Sequence, residues 1–459
     1  MTRVVVVGGG IAGLAAALRV AERAPDATLT LLEAGARLGG TIATVRDGGF
    51  TIETGPDSFI TEKPWALELC DRLGIAGDLV GTREDDRRTY VARGDRLHPL
   101  PDGFLLLAPT SLWPLARSSL FSWPGKLRMG LDLVLPRRPS DGDETLASFV
   151  RRRLGREALD RVADPLASGI YTGDPERLSV AATMPRFRDL EAKHRSIILG
   201  LRRSTATRGV AGARYGLFVA HRDGMGALID ALAARLPRGV VRTDARVDTL
   251  AREGGAWALR AGGERVVADA VVLACPAYVA AALLGATAAP LADALGTIAY
   301  ASSAIVTLGV RTRDLPNGLP GFGFVVPAVD RRDILACTFS SRKWPGRAPE
   351  GFDLLRTFVG GVRRPELVAA DDATLVTAAR RELGRFLGLT AEPVLARVDR
   401  WPRAMPQYDV GHLSRMQTIV GQVATLRGLA LAGGGYHGIG IPDCVHSGES
   451  AADAVLGPR

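Results

Sequence analysis

Val4-Val5-Val6-Val7-Gly8-Gly9-Gly10-Ile11-Ala12-Gly13 is the stretch that decides how this chain folds. Four β-branched apolar residues in a row suit a central parallel strand covered on both faces. The run stops at glycine, and residues 14–24 follow as an alanine-rich helix ended by Pro25. Gly8, Gly10 and Gly13 therefore take the G-x-G-x-x-G spacing at a strand-to-helix turn. Gly8 serves the tight turn, Gly10 lets backbone approach a pyrophosphate, and Gly13 lets helix and strand pack closely. With Gly9, Ile11 and Ala12 they form a loop whose helix N-terminus offers unpaired N–H groups to phosphate. A second strand over 28–32 ends in Glu33, twenty residues after Gly13. An acid there accepts both ribose hydroxyls of an adenosine and repels a 2′-phosphate. The glycine motif alone is weak evidence, but strand, glycines, helix, strand and acid in register specify a dinucleotide-binding half-fold.

The rest of the chain must be organised around that half-fold. At 459 residues it is long enough for two or three domains, and 47% hydrophobic with 23% charged residues excludes disorder and fibrous repeats. The net charge of +9 is carried by arginine, since lysine stands only at positions 63, 126, 193 and 343. Such a surface favours anionic partners. The longest basic run, Arg151-Arg152-Arg153, is too short for a nucleic-acid tract and reads as a solvated helix face, so no nucleic-acid partner is expected. Cys70, Cys275, Cys337 and Cys444 form no ligand pattern, which predicts reduced thiols, no structural metal and a cytoplasmic setting. Val4 to Val7 follow Met1 too closely to leave room for a signal peptide. The uncharged stretch 271–292 is long enough to span a bilayer, but Pro276, Gly285 and Pro290 break it, and a buried strand running into a short helix is the better reading.

Further glycine-rich and apolar segments extend the same domain. Residues 269–274 and 429–432 read as buried strands, Gly433-Gly434-Gly435 as a turn, and 442–456 as a helix opening on Pro442. Ala34-Gly35-Ala36-Arg37-Leu38-Gly39-Gly40-Thr41 resembles the second fingerprint of FAD proteins related to amine oxidases, and Glu53-Thr54-Gly55-Pro56-Asp57-Ser58 resembles the loop those proteins lay beside the flavin. Residues 243–251, after Asp223-Gly224-Met225-Gly226 and a helix to 236, are similar to the strand whose valine backbone meets the adenine, which points to Val247. The fold expected is α/β: a Rossmann-like FAD-binding domain of the amine oxidase/p-hydroxybenzoate hydroxylase type, with a mixed-sheet substrate domain and an α-helical insertion. Its parts are a discontinuous FAD-binding domain over 1–89, 206–290 and 427–459, a helical insertion over 90–205 and a substrate domain over 291–426. Helices are predicted over 126–135, 145–153 and 157–163, and strands over 304–310 and 322–326. The apolar stretch 105–123, with two of the six tryptophans, is either core or a surface that dips into lipid, and core is the commoner outcome beside helices.

The resemblance becomes narrower in segments that no flavin fingerprint requires. Ser168-Gly169-Ile170-Tyr171-Thr172-Gly173-Asp174-Pro175, His194-Arg195-Ser196, Phe358-Val359-Gly360-Gly361 and Tyr436-His437-Gly438-Ile439-Gly440-Ile441-Pro442-Asp443 are similar to the oxygen-dependent protoporphyrinogen and coproporphyrinogen oxidases of haem synthesis. That family oxidises a porphyrinogen to the porphyrin with FAD, passes the electrons to molecular oxygen and releases hydrogen peroxide. Carried over residue by residue, the resemblance implies that Arg88 holds a substrate propionate, although the 94–99 loop is one residue longer here and Arg87 is adjacent. It implies that Thr172 and Gly173 line the macrocycle, that Val325 and Phe358 sandwich its rings, and that Trp401 packs near the flavin. Ile441, Pro442 and Asp443 are implied to contact the flavin ring and ribityl chain, and Ala34, Gly40, Thr41, Gly55, Pro56, Asp57 and Ser58 to line the cofactor. No acid or base is assigned; His437 and His194 are lone histidines, more often structural than catalytic. Rivals are a flavin amine oxidase, which would place a lysine on the strand around 300–308 where this chain has none, a carotenoid-type desaturase, and an FAD-stabilised protein without turnover. The resemblance leaves coproporphyrinogen III and protoporphyrinogen IX both open. Also open are peripheral membrane contact, transient contact with the next haem-pathway enzyme, and a monomeric or homodimeric state.

Overall fold

The computed structural model describes residues 2–84, 87–105, 107–138, 142–208 and 218–457. Arg3–Val7 is the central strand of a five-stranded parallel sheet in the order Val241–Arg242, Thr28–Leu32, Arg3–Val7, Ala270–Leu273, Leu429–Leu431. The valine run is apolar throughout because both faces are covered. Val4 and Val6 pack on the helices Ile11–Arg23 and Ile441–Leu456, while Val5 and Val7 pack on an antiparallel meander of Val247–Glu253, Ala256–Ala261 and Glu264–Ala268. Each valine so buried contributes about 1.5–3 kcal/mol. The strand expected from 243 starts later, at Val247. Asp244 adopts a left-handed backbone (φ 53°), and the N–H groups of residues 244 and 245 are drawn off to Gly35 O and Glu33 O.

A second, seven-stranded mixed sheet runs Leu395–Pro406, Tyr300–Arg311, Phe352–Gly360, Ala336–Phe339, Gly323–Val325, Thr89–Arg93, Arg96–Pro99. Its last two strands correct the expected domain limits. Thr89–Arg93 pairs in parallel with Gly323–Val325, so the chain just after residue 89 belongs to this sheet and not to the helical insertion. The expected boundary between 205 and 206 falls within the helix Ile197–Arg208, and residues 209–217 lie outside the described residues. One face of the sheet, through Tyr90, Phe324, Leu355 and Val359, packs on the helix Asp372–Leu387. The other face meets the helical body.

That body is built from Leu146–Arg153, Asp164–Tyr171, Pro185–His194 and Ile197–Arg208. The helix expected over 157–163 forms, as an α-helical turn at Arg156–Ala158 that widens to a π-helix over Leu159–Ala163 and runs on into Asp164–Tyr171. At its centre the guanidinium of Arg153 is fully buried against Asp132, donating to Oδ1 at 2.7 Å, while Asp132 Oδ2 accepts from Ser196 Oγ at 2.6 Å and Ile198 N at 3.0 Å. The apolar stretch 105–123 divides: Leu107, Leu115, Leu120 and Phe121 are core, but Trp113 and Trp123 are 70% and 66% exposed. Core is therefore the wrong reading for the two tryptophans, because the short helices Leu112–Arg117 and Trp123–Gly130 turn only one face inward. Among the described residues no helix is long and apolar enough to cross a membrane.

Candidate active site

All five parallel strands end on the same side of the first sheet, the edge at which such folds bind a ligand in the cleft where the loops diverge. Gly8 bends there with φ 108°, its N–H donating to Leu32 O at 2.8 Å. Gly13 must be glycine, since a Cβ would stand 1.9 Å from Gly8 O. Gly10 differs, because a Cβ there would meet nothing within 4 Å. Gly10 is also the N-cap of Ile11–Arg23, and no side chain caps that helix. Ile11 and Ala12 are buried, so they offer the cleft backbone alone. Glu33 leaves the next strand and accepts from Gly9 N and Gly35 N, both at 2.7 Å. Gly39 bridges to Gly10, and the guanidinium of Arg37 folds back on the carbonyls of Leu38, Gly40 and Ile42 to hold that loop. Ala34, Gly40 and Thr41 are exposed beside it. From the far end of the chain, Ile441–Leu456 begins at an uncapped N-terminus with Ile441 and Pro442 buried, and Asp443 is paired to Lys63. Val247 is buried at the start of the meander.

The 53–58 loop closes the cleft toward the second sheet and is fastened from behind. Gly55 packs on Thr41 O, where a Cβ would lie 1.8 Å away, and Pro56 is exposed. Asp57 faces protein: its carboxylate accepts from Lys343 Nζ at 3.0 Å, Trp344 Nε1 at 3.2 Å and Ser58 Oγ at 2.7 Å, with Arg356 3.7 Å away. Burial pushes this carboxyl up, but Lys343, Arg356 and Ser58 outweigh it and hold the group well below the usual carboxylate range. Arg356 also donates to Gly55 O. Trp401 Nε1 donates to Thr54 O at 2.6 Å, tying the loop to the substrate sheet.

On that sheet a single row crosses all seven strands: His98, Val91, Val325, Ala336, Phe358, Ile305 and Asp399 are register partners in turn. Val325 and Phe358 thus share one face, two strand spacings or about 10 Å apart, with only the methyl of Ala336 between them. The helix Asp164–Tyr171 lies over this face, with Gly169 opposite Val325. Thr172 follows in a left-handed turn (φ 48°) whose carbonyl accepts from Val362 N at 3.0 Å, and Gly173 and Gly361 are pressed too close for side chains. Arg88 is not brought to this wall. It is exposed, with its guanidinium 5.8 Å from the Tyr90 ring, and Tyr90 belongs to the opposite face of the sheet. His437 is exposed, and His194 Nδ1 lies 3.4 Å from Arg203 on the helical body.

The family model described as flavin containing amine oxidoreductase matches residues 11–456. The chain belongs to that family. It is 34% identical to the coproporphyrinogen III oxidase of Bacillus subtilis (strain 168), over 99% of this chain and 97% of that protein. It is 32% identical to the chloroplastic protoporphyrinogen oxidase of Nicotiana tabacum, over 99% and 85%. A crystal structure from Exiguobacterium sp. 255-15, provisionally named as a protoporphyrinogen oxidase, is similar at a TM-score of 0.88 and 34% identity, covering 98% of both chains.

A flavin held on a dinucleotide fold is FAD, and FAD is the cofactor of this oxidoreductase. The residues present fit it: the space off Gly10 is what a pyrophosphate needs, two uncapped helix N-termini face that side of the sheet, and the Glu33 carboxylate stands at the end of the neighbouring strand. Residue pattern alone left out the parts that hold the site from outside. Lys343, Trp344 and Arg356 anchor the 53–58 loop, and Gln407, Tyr408 and His412 fasten two further loops, all through contacts distant in sequence. Only Arg37, inside the second fingerprint, carried a local signal.

Proposed function

We propose that the chain oxidises a porphyrinogen to the porphyrin in haem synthesis, in three two-electron rounds, with oxygen as acceptor and hydrogen peroxide as product. The observation that carries the reading is the meeting of two segments that no flavin fingerprint demands. Residues 168–175 and 358–361 both resemble porphyrinogen oxidases, and they interlock at Thr172 and Gly361 on the wall that faces the helical body. Full-length similarity to proteins named coproporphyrinogen III oxidase and protoporphyrinogen oxidase supports it.

FAD bound there would supply the hydride acceptor for a methylene bridge of the macrocycle and the route of the electrons to oxygen. The chain's own residues bind and orient. Gly8 to Gly13, Glu33 and Ala34, Gly40 and Thr41, Val247 and Ile441 to Asp443 hold the dinucleotide, while Gly55 to Ser58 and Trp401 set the wall beside the ring system. Phe358 stacks on a pyrrole and Val325 packs on the other side of the Ala336 gap, so that a flat ring enters edge-on to the sheet. The backbone of Thr172 and Gly173 closes the macrocycle's free side against water. The net charge of +9 favours the substrate with four carboxylates. Initial rates on the two porphyrinogens test this: coproporphyrinogen III is expected to react faster, and no porphyrin from either would overturn the reading.

The helical body supports a second feature, contact with an anionic membrane surface. Trp113, on the helix Leu112–Arg117, and Trp123, Leu127, Leu131 and Val134, on the helix Trp123–Gly130 and the turn after it, are exposed, with Arg117 and Lys126 beside the two indoles. Aromatic residues with adjacent cations suit the headgroup layer. Flotation with anionic liposomes is expected to carry the protein, and Trp113→Ser with Trp123→Ser to abolish it while turnover in solution stays unchanged.

A further inference from the structure

Gln407 and Tyr408 are consecutive buried residues just past the Leu395–Pro406 strand, and each is tied to a different side of the active site. Gln407 Nε2 donates to Tyr171 O at 2.8 Å and to Met405 O at 3.1 Å. Its Oε1 occupies the space a Cβ at Gly173 would need, 2.7 Å away. The turn it holds is a strained one. Thr172 is β-branched yet left-handed, a conformation that costs of order 1–3 kcal/mol and persists only where its surroundings impose it. Here those surroundings are Gln407 on one side and Val362 N with Gly361 on the other.

Tyr408 reaches the glycine loop that follows the last strand of the dinucleotide sheet. Its hydroxyl donates to Gly434 O at 2.6 Å and accepts from Gly438 N at 2.8 Å. Its ring stacks on His412 at 4.1 Å, and His412 Nε2 lies 2.8 Å from Tyr436 O. Burial favours the neutral ring of His412, so Nε2–H donates to that carbonyl. Three hydrogen bonds from this short connector therefore fix residues 434–438, immediately before Ile441.

We propose that Gln407 and Tyr408 form a two-sided positioning brace, in which Gln407 sets the Thr172 turn against the substrate and Tyr408 sets the 434–438 loop against the flavin. The separation between the reacting carbon and the cofactor is then fixed by two neighbouring residues of one strand end. The proposal rests on the porphyrinogen reading for its substrate half and on the cofactor cleft for the other.

The test is a double dissociation in the full-length holoenzyme. Gln407→Met keeps the volume and loses the amide. It is expected to raise KM for the porphyrinogen about tenfold, the order of the buried hydrogen bond to Tyr171 O that sets the turn, with the FAD dissociation constant and flavin absorption spectrum unchanged. Tyr408→Phe keeps the stack on His412 and loses the hydroxyl. It is expected to raise the FAD dissociation constant about tenfold and shift the flavin spectrum, with KM unchanged. Should Gln407→Met fail to fold, Gln407→Asn, one methylene short of Tyr171 O, is expected to act in the same direction. Variants that move both readouts together, or change only the melting temperature, overturn the brace. A wild-type protein that oxidises neither porphyrinogen overturns the functional reading and the substrate half with it, while the FAD constants of Tyr408→Phe still decide the flavin half.

Discussion

Adding one methyl group at Gly10 or at Gly13, three residues apart in the same turn, should weaken FAD in both cases but destabilise the apoprotein only at Gly13. Gly10 has φ −71° and ψ 175°, an extended conformation alanine adopts freely, and its Cβ would meet no protein atom within 4 Å. Gly10→Ala is therefore expected to leave the apoprotein's stability within about 0.5 kcal/mol, or slightly raised by the lower entropy of the unfolded chain. The methyl projects into the space assigned to the pyrophosphate, however. Overpacking of about 1–3 kcal/mol there weakens FAD roughly ten- to a hundredfold. At Gly13 the same methyl would stand 1.9 Å from Gly8 O and 3.2 Å from Ala274 Cβ. The first contact is more than 1 Å inside the 3.0 Å that side-chain carbons keep, and its partner is backbone. The start of the helix must move, so Gly13→Ala is expected to lower apoprotein stability by about 1–3 kcal/mol or more and to weaken FAD as well. FAD titration followed by flavin fluorescence, together with thermal unfolding of the apoproteins, reads both quantities. Wild-type FAD affinity in Gly10→Ala would refute the placement of the phosphates.

Three further outcomes follow from the buried charges and the loop anchors. The carboxyl of Asp57 is held below its unfolded value, so its stabilisation is complete above about pH 4 and is lost as pH falls further; Asp57→Asn should flatten the acid limb of the stability profile measured by denaturant unfolding. Arg153→Met strands Asp132 in the core of the helical body and should cost about 3–5 kcal/mol, while Arg153→Met with Asp132→Asn should recover more than half, as read from urea midpoints. Trp401→Phe removes the bond to Thr54 O and should raise the FAD dissociation constant several-fold, by about 1 kcal/mol, with the melting temperature nearly unchanged.

Local pattern carried the dinucleotide sheet because each of its parts is specified within a few residues. Val4 to Val7 and Gly8 to Gly13 name their own conformations, and the strand Thr28–Leu32 has the bounds expected of it. Where a tertiary contact overrode the local pattern, the reading missed. Thr243 to Arg246 are apt for a strand, but Glu33 and Gly35 take their hydrogen bonds, and the chain turns instead. Thr89–Arg93 joins the second sheet through a parallel pairing with residues some 230 positions away, which no periodicity can announce. Arg88 stands just before that strand with its guanidinium over the Tyr90 ring, a placement its neighbours in sequence do not announce. Trp113 and Trp123 were misread because helix periodicity in two short segments does not say which face is inward. The brace at Gln407 and Tyr408 was invisible, because both act through hydrogen bonds to backbone of distant loops.

The central claim, that this flavoprotein takes its electrons from a porphyrinogen, is tested most directly by mixing the FAD-loaded protein with coproporphyrinogen III without oxygen and following the flavin's visible absorption. The account predicts rapid bleaching, return of the absorption when air is admitted, and release of hydrogen peroxide together with a fluorescent porphyrin. A flavin that stays yellow in the presence of coproporphyrinogen III and of protoporphyrinogen IX would contradict it.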